Sequence, residues 1–221
     1  MSLQMIASEI CKSYNGNEVL SRCSYSCNES GIYVLTGPNG CGKSTFLRIC
    51  ALIENPDSGD INFISDGKQV QKDLALKRRI TLVLPKVGIF NTTVFKNAAY
   101  GLSIRGIKGP AVKERVDKAL DFVGLLHKRE QNAITVSSGE AQRLGIARAL
   151  VIEPEILFLD EPTASVDQKN TAIIEDVIRK MKRERSVTVI MTTHDREQAS
   201  RLADSLLVMK GGTIRSFSAV G

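Results

Sequence analysis

Runs of apolar residues alternate with amphipathic stretches along most of the chain. Four short runs are rich in Val, Ile and Leu, as strands buried on both faces of a sheet are; they span residues 32–36, 80–84, 156–160 and 187–192. Helical patterns separate these runs, and such alternation favours a mainly parallel sheet with helices on its faces. The pattern therefore predicts an α/β fold.

Shorter, alternating patterns occupy the two ends of the chain. Polar and apolar residues alternate in stretches of residues 3–28, which predicts an antiparallel β subdomain near the N-terminus. Residues 206–209 are apolar and precede Gly211 and Gly212, so we expect a hairpin close to the C-terminus.

Helical patterns dominate the middle of the chain. One predicted helix begins at Pro110, buries a stripe of apolar side chains and ends at Gly124. A second stripe runs from Ile173 to Met181. We interpret residues 86–149 as an α-helical subdomain inserted into an α/β core of residues 1–85 and 150–221, the whole forming a single domain.

The composition, 43% hydrophobic and 24% charged over 221 residues, is typical of a globular chain with ample core. No apolar run approaches the roughly 18 residues that indicate a membrane span, and we see no secretory signal. The odd number of cysteines, all in the first quarter of the chain, favours reduced thiols in a cytosolic protein over disulfides or a zinc site.

The net charge of +6 permits contact with nucleic acid or acidic lipid. The basic clusters at residues 77–79 and 182–185 are short, and aromatic residues make up only 5% of the chain. Neither a stacking platform nor a recognition motif accompanies them. Nucleic-acid binding is therefore the minor alternative.

A glycine-rich segment, GPNGCGKST, follows the run at residues 32–36 and precedes a helical pattern. Its spacing fits the P-loop pattern, in which backbone N–H groups surround the phosphates, a lysine (Lys43) adds positive charge and a hydroxyl (Ser44) binds Mg²⁺. A turn that is merely rich in glycine is the alternative. The predicted phosphate-binding residues are Gly37, Pro38, Asn39, Gly40, Cys41, Gly42, Lys43, Ser44 and Thr45.

Two acidic residues, Asp160 and Glu161, end the apolar run at residues 156–160. Carboxylates at that edge of an open α/β sheet lie where such sheets bind ligands. We expect Asp160 to hold Mg²⁺ and Glu161 to orient and deprotonate a water for attack on a γ-phosphate. A solvated acidic turn is the alternative. His194 ends another strand at the same edge, so we expect it to contact the γ-phosphate.

The segment VSSGEAQRLGIARAL at residues 136–150 contains a capping box, Ser137 with Glu140. Followed by EILFLDEPTASVD, it resembles the signature motif of ATP-binding cassette (ABC) ATPases. The resemblance spans nearly the whole chain. It makes GPNGCGKST the Walker A motif and ILFLDE the Walker B motif. It also assigns adenine stacking to Tyr14, the D-loop to residues 165–167, which contain Ser165 and Asp167, and the switch histidine to His194.

The resemblance implies a Mg-dependent ATPase that powers a membrane transporter from the cytoplasmic face. Two cassettes would face each other head to tail, with each ATP between the P-loop of one and the signature segment of the other. ATP would drive their dimerisation, and the helical subdomain would contact transmembrane permease subunits. Lys43, Glu161 and His194 would be catalytic; Ser137, Ser138, Gly139, Glu140 and Asp167 would bind nucleotide.

Three residues depart from the family pattern. Ser138 replaces a glycine and Glu140 a glutamine in the signature segment. Pro85 stands where the Q-loop glutamine is expected, whose amide carbonyl reaches Mg²⁺ and the attacking water. Proline offers no such side chain. Full, coupled hydrolysis is therefore less strongly implied than ATP binding.

Within the transporter class the sequence looks most like ATPases of tungstate/molybdate-type oxyanion importers. The similar segments are ALIENPDSGDI, RRITLV, IFNTTVFKNAAYGLSIRG and SSGEAQRL. Two alternatives stay open: a non-transport cassette ATPase that acts on nucleic acid or as a regulator, and an ATP-binding module with little turnover.

Overall fold

The computed structural model describes residues 3–164, 166–185 and 187–218. Within them, the strands are β1 (Gln4–Tyr14), β2 (Asn17–Cys27), β3 (Ile32–Thr36), β4 (Ser58–Ser65), β5 (Lys68–Val70), β6 (Ile80–Val83), β7 (Ile156–Leu159), β8 (Thr188–Thr193), β9 (Ser205–Lys210) and β10 (Thr213–Ser218). The helices are α1 (Lys43–Cys50), α2 (Leu74–Lys77), α3 (Val94–Ile104), α4 (Pro110–Phe122), α5 (Ser138–Leu150), α6 (Gln168–Arg185) and α7 (Arg196–Leu202). Short 3-10 turns span Leu126–Lys128 and Ala133–Thr135.

A six-stranded sheet has the order β10-β9-β3-β8-β7-β6, and all its neighbouring strands are parallel except the edge pair β9 and β10. A second, four-stranded sheet has the order β2-β1-β4-β5 and is antiparallel throughout. The predicted α/β class, with a mainly parallel sheet and antiparallel strands near the N-terminus, is confirmed. Strands β4 and β5 were not predicted individually.

Both faces of the parallel sheet are buried, and successive residues of one strand serve opposite faces. Val34 of β3 belongs to a core shared with helices α3 to α7. Tyr33 and Leu35, on the other face, pack in a second core with α1 and the antiparallel sheet. This double burial explains why the parallel strands read as continuous apolar runs.

Three predicted strands differ from the observed ones by a residue at their ends. The ladder between β6 and β7 runs from the pair Ile80 and Ile156 to the pair Val83 and Leu159. Leu84 and Asp160 therefore lie just beyond it, although both were predicted as strand. Strand β8 begins and ends one residue later than the predicted run at 187–192. The C-terminal hairpin, β9 and β10, is confirmed.

Helix α4 begins at Pro110 as predicted. Gly124 follows its end with a φ of 71°, and its N–H donates to the carbonyl oxygen of Asp121 (2.9 Å).

Helices α3, α4 and α5 lie between β6 and β7 in the sequence. The division into a core and an inserted helical subdomain stays a prediction. In the described part of the chain, no helix is both long and apolar enough to cross a membrane.

Candidate nucleotide-binding site

The P-loop (residues 37–45) connects β3 to the N-terminus of α1. Gly42, which precedes α1, has a φ of 107°, a conformation that residues with a Cβ rarely adopt. A Cβ on Gly42 would also lie 2.8 Å from Cδ2 of Leu20 and 2.9 Å from the carbonyl oxygen of Val19. The loop therefore presses against β2, and its glycine is required by both conformation and space.

Lys43, the first residue of α1, is only 5% exposed. Its Nζ donates hydrogen bonds to the carbonyl oxygens of Gly37 (2.9 Å) and Pro38 (3.1 Å). The same Nζ lies 3.9 Å from Oε1 of Glu161. The ammonium is thus held inside the curve of the loop, where phosphate oxygens can replace the carbonyls as its partners.

Asp160 follows β7 and is 2% exposed. Its Oδ1 accepts hydrogen bonds from the hydroxyls of Ser44 (3.0 Å) and Thr192 (2.7 Å). These donors stabilise a carboxylate that burial alone would penalise. Asp160 and Ser44 therefore stand together at the P-loop, as the sequence predicted.

The donor set of Ser44 and Asp160 fits Mg²⁺, which prefers oxygen ligands and in nucleotide sites uses one or two carboxylates together with substrate phosphates. No group of three or more His, Cys, Asp or Glu side chains able to hold a metal occurs among the described residues. The donor set suits a metal whose remaining ligands are phosphate oxygens and water.

Glu161 has a φ of 46°, which is uncommon for a residue other than glycine. Its N–H donates to the hydroxyl oxygen of Thr192 (2.9 Å). Its carboxylate lies between two basic groups, Nζ of Lys43 at 3.9 Å and Nδ1 of His194 at 3.5 Å. The predicted catalytic side chains Lys43, Glu161 and His194 are therefore neighbours.

Sequence reasoning missed Thr192. It stands in a run of aliphatic residues, VTVIMTTH, in which a threonine reads as an ordinary β-branched strand residue. The available signal was its place two residues before His194, at the end of a strand that carries a predicted site residue.

A separate cavity of about 880 Å³ lies between α7 and β9. Of the candidate site, residues 37–39 and His194 line it.

Tyr14, at the end of β1, exposes its ring beside the end of α1. Its hydroxyl donates to the carboxylate of Glu54, and Nη2 of Arg48 approaches the same hydroxyl at 3.4 Å. Burial raises the pKa of Glu54, but the hydrogen bonds from Tyr14 and Arg48 outweigh it and hold that pKa below its ordinary value. The hydroxyl is thus held by two partners, while the ring is 38% exposed and has Nζ of Lys12 over it at 5.6 Å from its centroid.

Ser137 caps the N-terminus of α5, and both bonds of the predicted capping box are present. The Ser137 hydroxyl accepts from the Glu140 N–H (3.3 Å), while Oε2 of Glu140 accepts from the Ser137 N–H (3.0 Å). Oε1 of Glu140 also pairs with Nζ of Lys128 at 2.6 Å. Burial raises the pKa of Glu140, but these partners together lower it below its ordinary value. Ser137 and Ser138 are exposed.

Gly139 lies against the start of α6. Asn170 there donates its backbone N–H to Oδ1 of Asp167 (2.9 Å) and its amide to Oδ2 (2.7 Å). These bonds lower the pKa of Asp167. Arg143 of α5 donates to the side-chain oxygen of the same asparagine. Asp167 thus caps α6 within this chain; the predicted D-loop residue Ser165 lies outside the described residues.

The predicted site residues form two groups. One comprises the P-loop, Asp160, Glu161 and His194; the other comprises residues 137–140 with Asp167. In the described parts of the chain, no hydrogen bond or ion pair joins the groups.

Pro85 is exposed just beyond β6. The segment that follows it lies in a notch of α5: a Cβ on Gly145 would be 2.5 Å from Cγ2 of Val87. Nη2 of Arg148 donates to the carbonyl oxygen of Gly88 (2.9 Å). Segment 85–88 is therefore fixed against the helix that begins with the signature residues.

Comparisons with known proteins identify the family of the chain. The family model described as ABC transporter matches residues 20–164. A phosphate import ATP-binding protein of Natronomonas pharaonis is 39% identical over 215 residues, which cover 91% of this chain and 75% of the relative. The ATP-binding protein of a tungstate uptake system from Peptoclostridium acidaminophilum is 35% identical over 213 residues, which cover 96% of this chain and 97% of the relative.

Two further import ATP-binding proteins are longer, and the chain spans 59% and 60% of their length. Among solved structures, CbiO1 of Clostridium perfringens is described as part of the ABC transporter complex cbiONQ. It matches with a TM-score of 0.85 at 28% identity, over 97% of this chain and 88% of that one.

Proposed function

The chain belongs to the ABC transporter family, and from that premise we propose that it is the ATP-hydrolysing subunit that powers an importer. The observation that carries the proposal is the meeting of Lys43, Ser44, Asp160 and Glu161 at one edge of the parallel sheet. A lysine, a hydroxyl and two carboxylates at a P-loop are the groups that phosphoryl transfer to water needs.

In the proposed reaction, Lys43 exchanges the carbonyl oxygens of Gly37 and Pro38 for phosphate oxygens. Glu161 accepts a proton from a water that attacks the γ-phosphorus, and the bond from that phosphorus to the β,γ-bridging oxygen breaks, which yields ADP and phosphate. His194, 3.5 Å from Glu161, hydrogen-bonds the γ-phosphate. Ser44 and Asp160 would hold Mg²⁺, whose charge would offset that of the phosphate oxygens.

We propose that a second copy of the cassette completes the site. Ser137, Ser138 and Gly139 begin α5, a helix of 13 residues, and its N-terminus favours an anion. In their own chain these residues have no described bond to the P-loop group. A head-to-tail dimer would bring each helix N-terminus to the nucleotide bound by the partner.

Transmembrane permease subunits are the proposed membrane partners, with the chain peripheral at the cytoplasmic face. The supporting surface lies beside segment 85–88: Phe90 and Tyr100 are exposed with ring centroids 4.5 Å apart, and Leu84 and Ile104 are exposed nearby in the chain. Large apolar side chains grouped on a surface are typical of interaction sites. No specific observation favours the non-transport alternative.

An oxyanion is the proposed cargo. The support is the tungstate uptake relative, aligned over nearly its full length, together with the phosphate import relative. Because the cassette itself need not touch the cargo, the test uses the assembled transporter. ATP-dependent uptake of tungstate by proteoliposomes that contain the co-purified permease would support this assignment; uptake of phosphate but not tungstate would contradict the tungstate assignment.

The hydrolytic function is tested with the purified chain. We expect Mg-dependent release of phosphate from ATP, and we expect Glu161→Gln to lower kcat by about 100-fold or more because a general base is lost. The variant should still bind ATP and elute as a dimer on gel filtration with ATP. Glu184→Gln, an exposed change in α6, is the matched control. A wild-type chain that does not bind ATP would overturn the proposal, and an active Glu161→Gln would exclude Glu161 as base.

A further inference from the structure

The hydroxyl of Thr192 joins the two acidic residues at the end of β7. Thr192 is completely buried. Its Oγ1 donates to Oδ1 of Asp160 (2.7 Å) and accepts from the backbone N–H of Glu161 (2.9 Å). The proton of the hydroxyl is thereby committed to the carboxylate, and a lone pair to the N–H.

We propose that Thr192 is a positioning residue for ATP hydrolysis. Its hydroxyl fixes the side chain of Asp160 relative to the backbone of Glu161. The inference rests on the proposed function, because it takes Glu161 as the base. It assigns to one hydroxyl the placement of both carboxylates relative to the P-loop.

Conformation explains why Glu161 needs such an anchor. Its φ of 46° is one that residues with a side chain seldom adopt without support from their surroundings. The hydrogen bond to Thr192 holds the backbone N–H of Glu161. It therefore favours the backbone turn that directs the Glu161 side chain toward Lys43 and His194. Without the bond, the carboxylate has other accessible orientations.

The requirement for a hydroxyl is not explained by packing. The three residues directly before Thr192 in β8, Val189 to Met191, are apolar, and a valine would fill nearly the same volume in this strand. Thr188, in the same strand, is also buried, yet its hydroxyl has no hydrogen-bond partner among the described residues. Thr193 serves the turn into α7, where its hydroxyl accepts from the Asp195 N–H (3.1 Å). Only Thr192, of these three threonines, faces the carboxylates.

The main test is Thr192→Val, which keeps the shape and removes both bonds. We expect kcat to fall about tenfold or more, because the loss of a hydrogen bond to a charged group has an effect of this size. The KM for ATP should change less than about twofold. A second readout is independent of turnover: Mn²⁺ binding to the complex with a non-hydrolysable ATP analogue, followed by electron paramagnetic resonance. Mn²⁺ binding should weaken about threefold or more, because Asp160 loses the hydrogen bond that orients its carboxylate toward the P-loop.

Two variants serve as controls. Thr188→Val makes the same change in the same strand, and should leave kcat and Mn²⁺ binding at wild-type values. Thr192→Ser keeps the hydroxyl, and should retain most of the wild-type activity. If Thr192→Val fails to fold, the pair Thr192→Ser and Thr192→Ala, which differ only in the hydroxyl, gives the same comparison.

The outcomes separate the positioning role from the proposed function. A wild-type chain that hydrolyses ATP, with Thr192→Val indistinguishable from Thr188→Val in kcat and Mn²⁺ binding, would overturn the role of Thr192. A Thr192→Ser variant as impaired as Thr192→Val would also overturn it, because packing would then explain the loss. If the wild type binds the analogue but does not hydrolyse ATP, the proposed function fails, and Mn²⁺ binding alone decides for or against Thr192.

Discussion

Gly139 at the start of α5 lies so close to Asn170 at the start of α6 that a Cβ on the glycine would be 2.4 Å from Cγ of the asparagine. The same asparagine bonds both carboxylate oxygens of Asp167 and receives a bond from Arg143. The signature segment and the segment after the Walker B motif are therefore packed as one unit.

Gly139→Ala should reduce the free energy of unfolding by about 1–3 kcal/mol, the usual cost of overpacking. Asn170→Gly removes the side chain that the new Cβ meets, so the double variant should be more stable than the sum of the two single effects. Urea unfolding of the four proteins measures the coupling. Strict additivity would mean that the helices separate without cost.

Gly42→Ala should impair both stability and ATP binding, because the added Cβ meets Leu20 and the Val19 carbonyl and the φ of 107° is strained. Gly40→Ala is the matched control in the same loop: its φ is 78°, but nothing lies within 4 Å of its Cβ. Binding of a fluorescent ATP analogue compares the two. Equal losses would contradict the requirement for close packing at Gly42.

Pro85→Gln should accelerate ATP hydrolysis or improve its coupling to a permease, because it supplies the amide that the resemblance leads us to expect. Pro85 is exposed and lies outside β6, so the midpoint of urea unfolding should not change by much. Phosphate release with and without the permease measures the effect. Unchanged rates under both conditions would mean that another group already makes the contact.

Tyr14→Ala should weaken ATP binding about tenfold, because stacking of a base on an aromatic ring contributes about 1–3 kcal/mol. Tyr14→Phe loses the hydrogen bond to Glu54 but keeps the ring, and should bind ATP nearly as well as wild type. Titration of the wild type and both variants with ATP and with GTP distinguishes the role of the ring from that of the hydroxyl. Similar losses in both variants would assign the effect to the hydroxyl and not to stacking.

Glu140 should make the start of α5 sensitive to acid. Its pKa in the folded chain is below the ordinary value of 4.5, so its stabilisation is fully present above that pH and is lost as the pH falls through the lowered pKa. Glu140→Gln keeps a cap but does not titrate. The free energy of unfolding of the wild type should exceed that of this variant by about 0.5–1 kcal/mol at pH 7, the scale of a partly exposed ion pair, and the difference should close as the pH falls below 4.5 through the lowered pKa. A gap that persists in acid would contradict this account.

The parts of the fold set by local patterns were predictable. The run at residues 32–36 matches β3 at both ends, and the helix from Pro110 to Gly124 was readable because apolar spacing, a start signal and a stop signal agree. The P-loop and Walker B motifs could be recognised for the same reason, since each is continuous in sequence; their roles as site residues stay predictions. The resemblance to the ABC family is confirmed by the family match.

Features that depend on distant partners were not predicted. Strands β4 and β5 exist because they pair with β1 and with each other, and residues 58–70 are polar and rich in turn residues. The proposed role of Thr192 depends on Asp160, which follows β7 and lies 32 residues earlier in the chain. A threonine in a strand carries no sign of the carboxylate that tertiary structure places beside it.

The notch at Gly145 has a mechanical consequence. Helix α5 has 13 residues and is about 20 Å long at 1.5 Å per residue. It begins with Ser138 and receives Val87 near its middle. Because Gly139, next to Ser138, packs on Asn170 of α6, a push on segment 85–88 would pass along the rigid helix to that contact. In the proposed head-to-tail dimer, a partner that contacts segment 85–88 would thereby act on the helix end that faces the nucleotide of the other subunit.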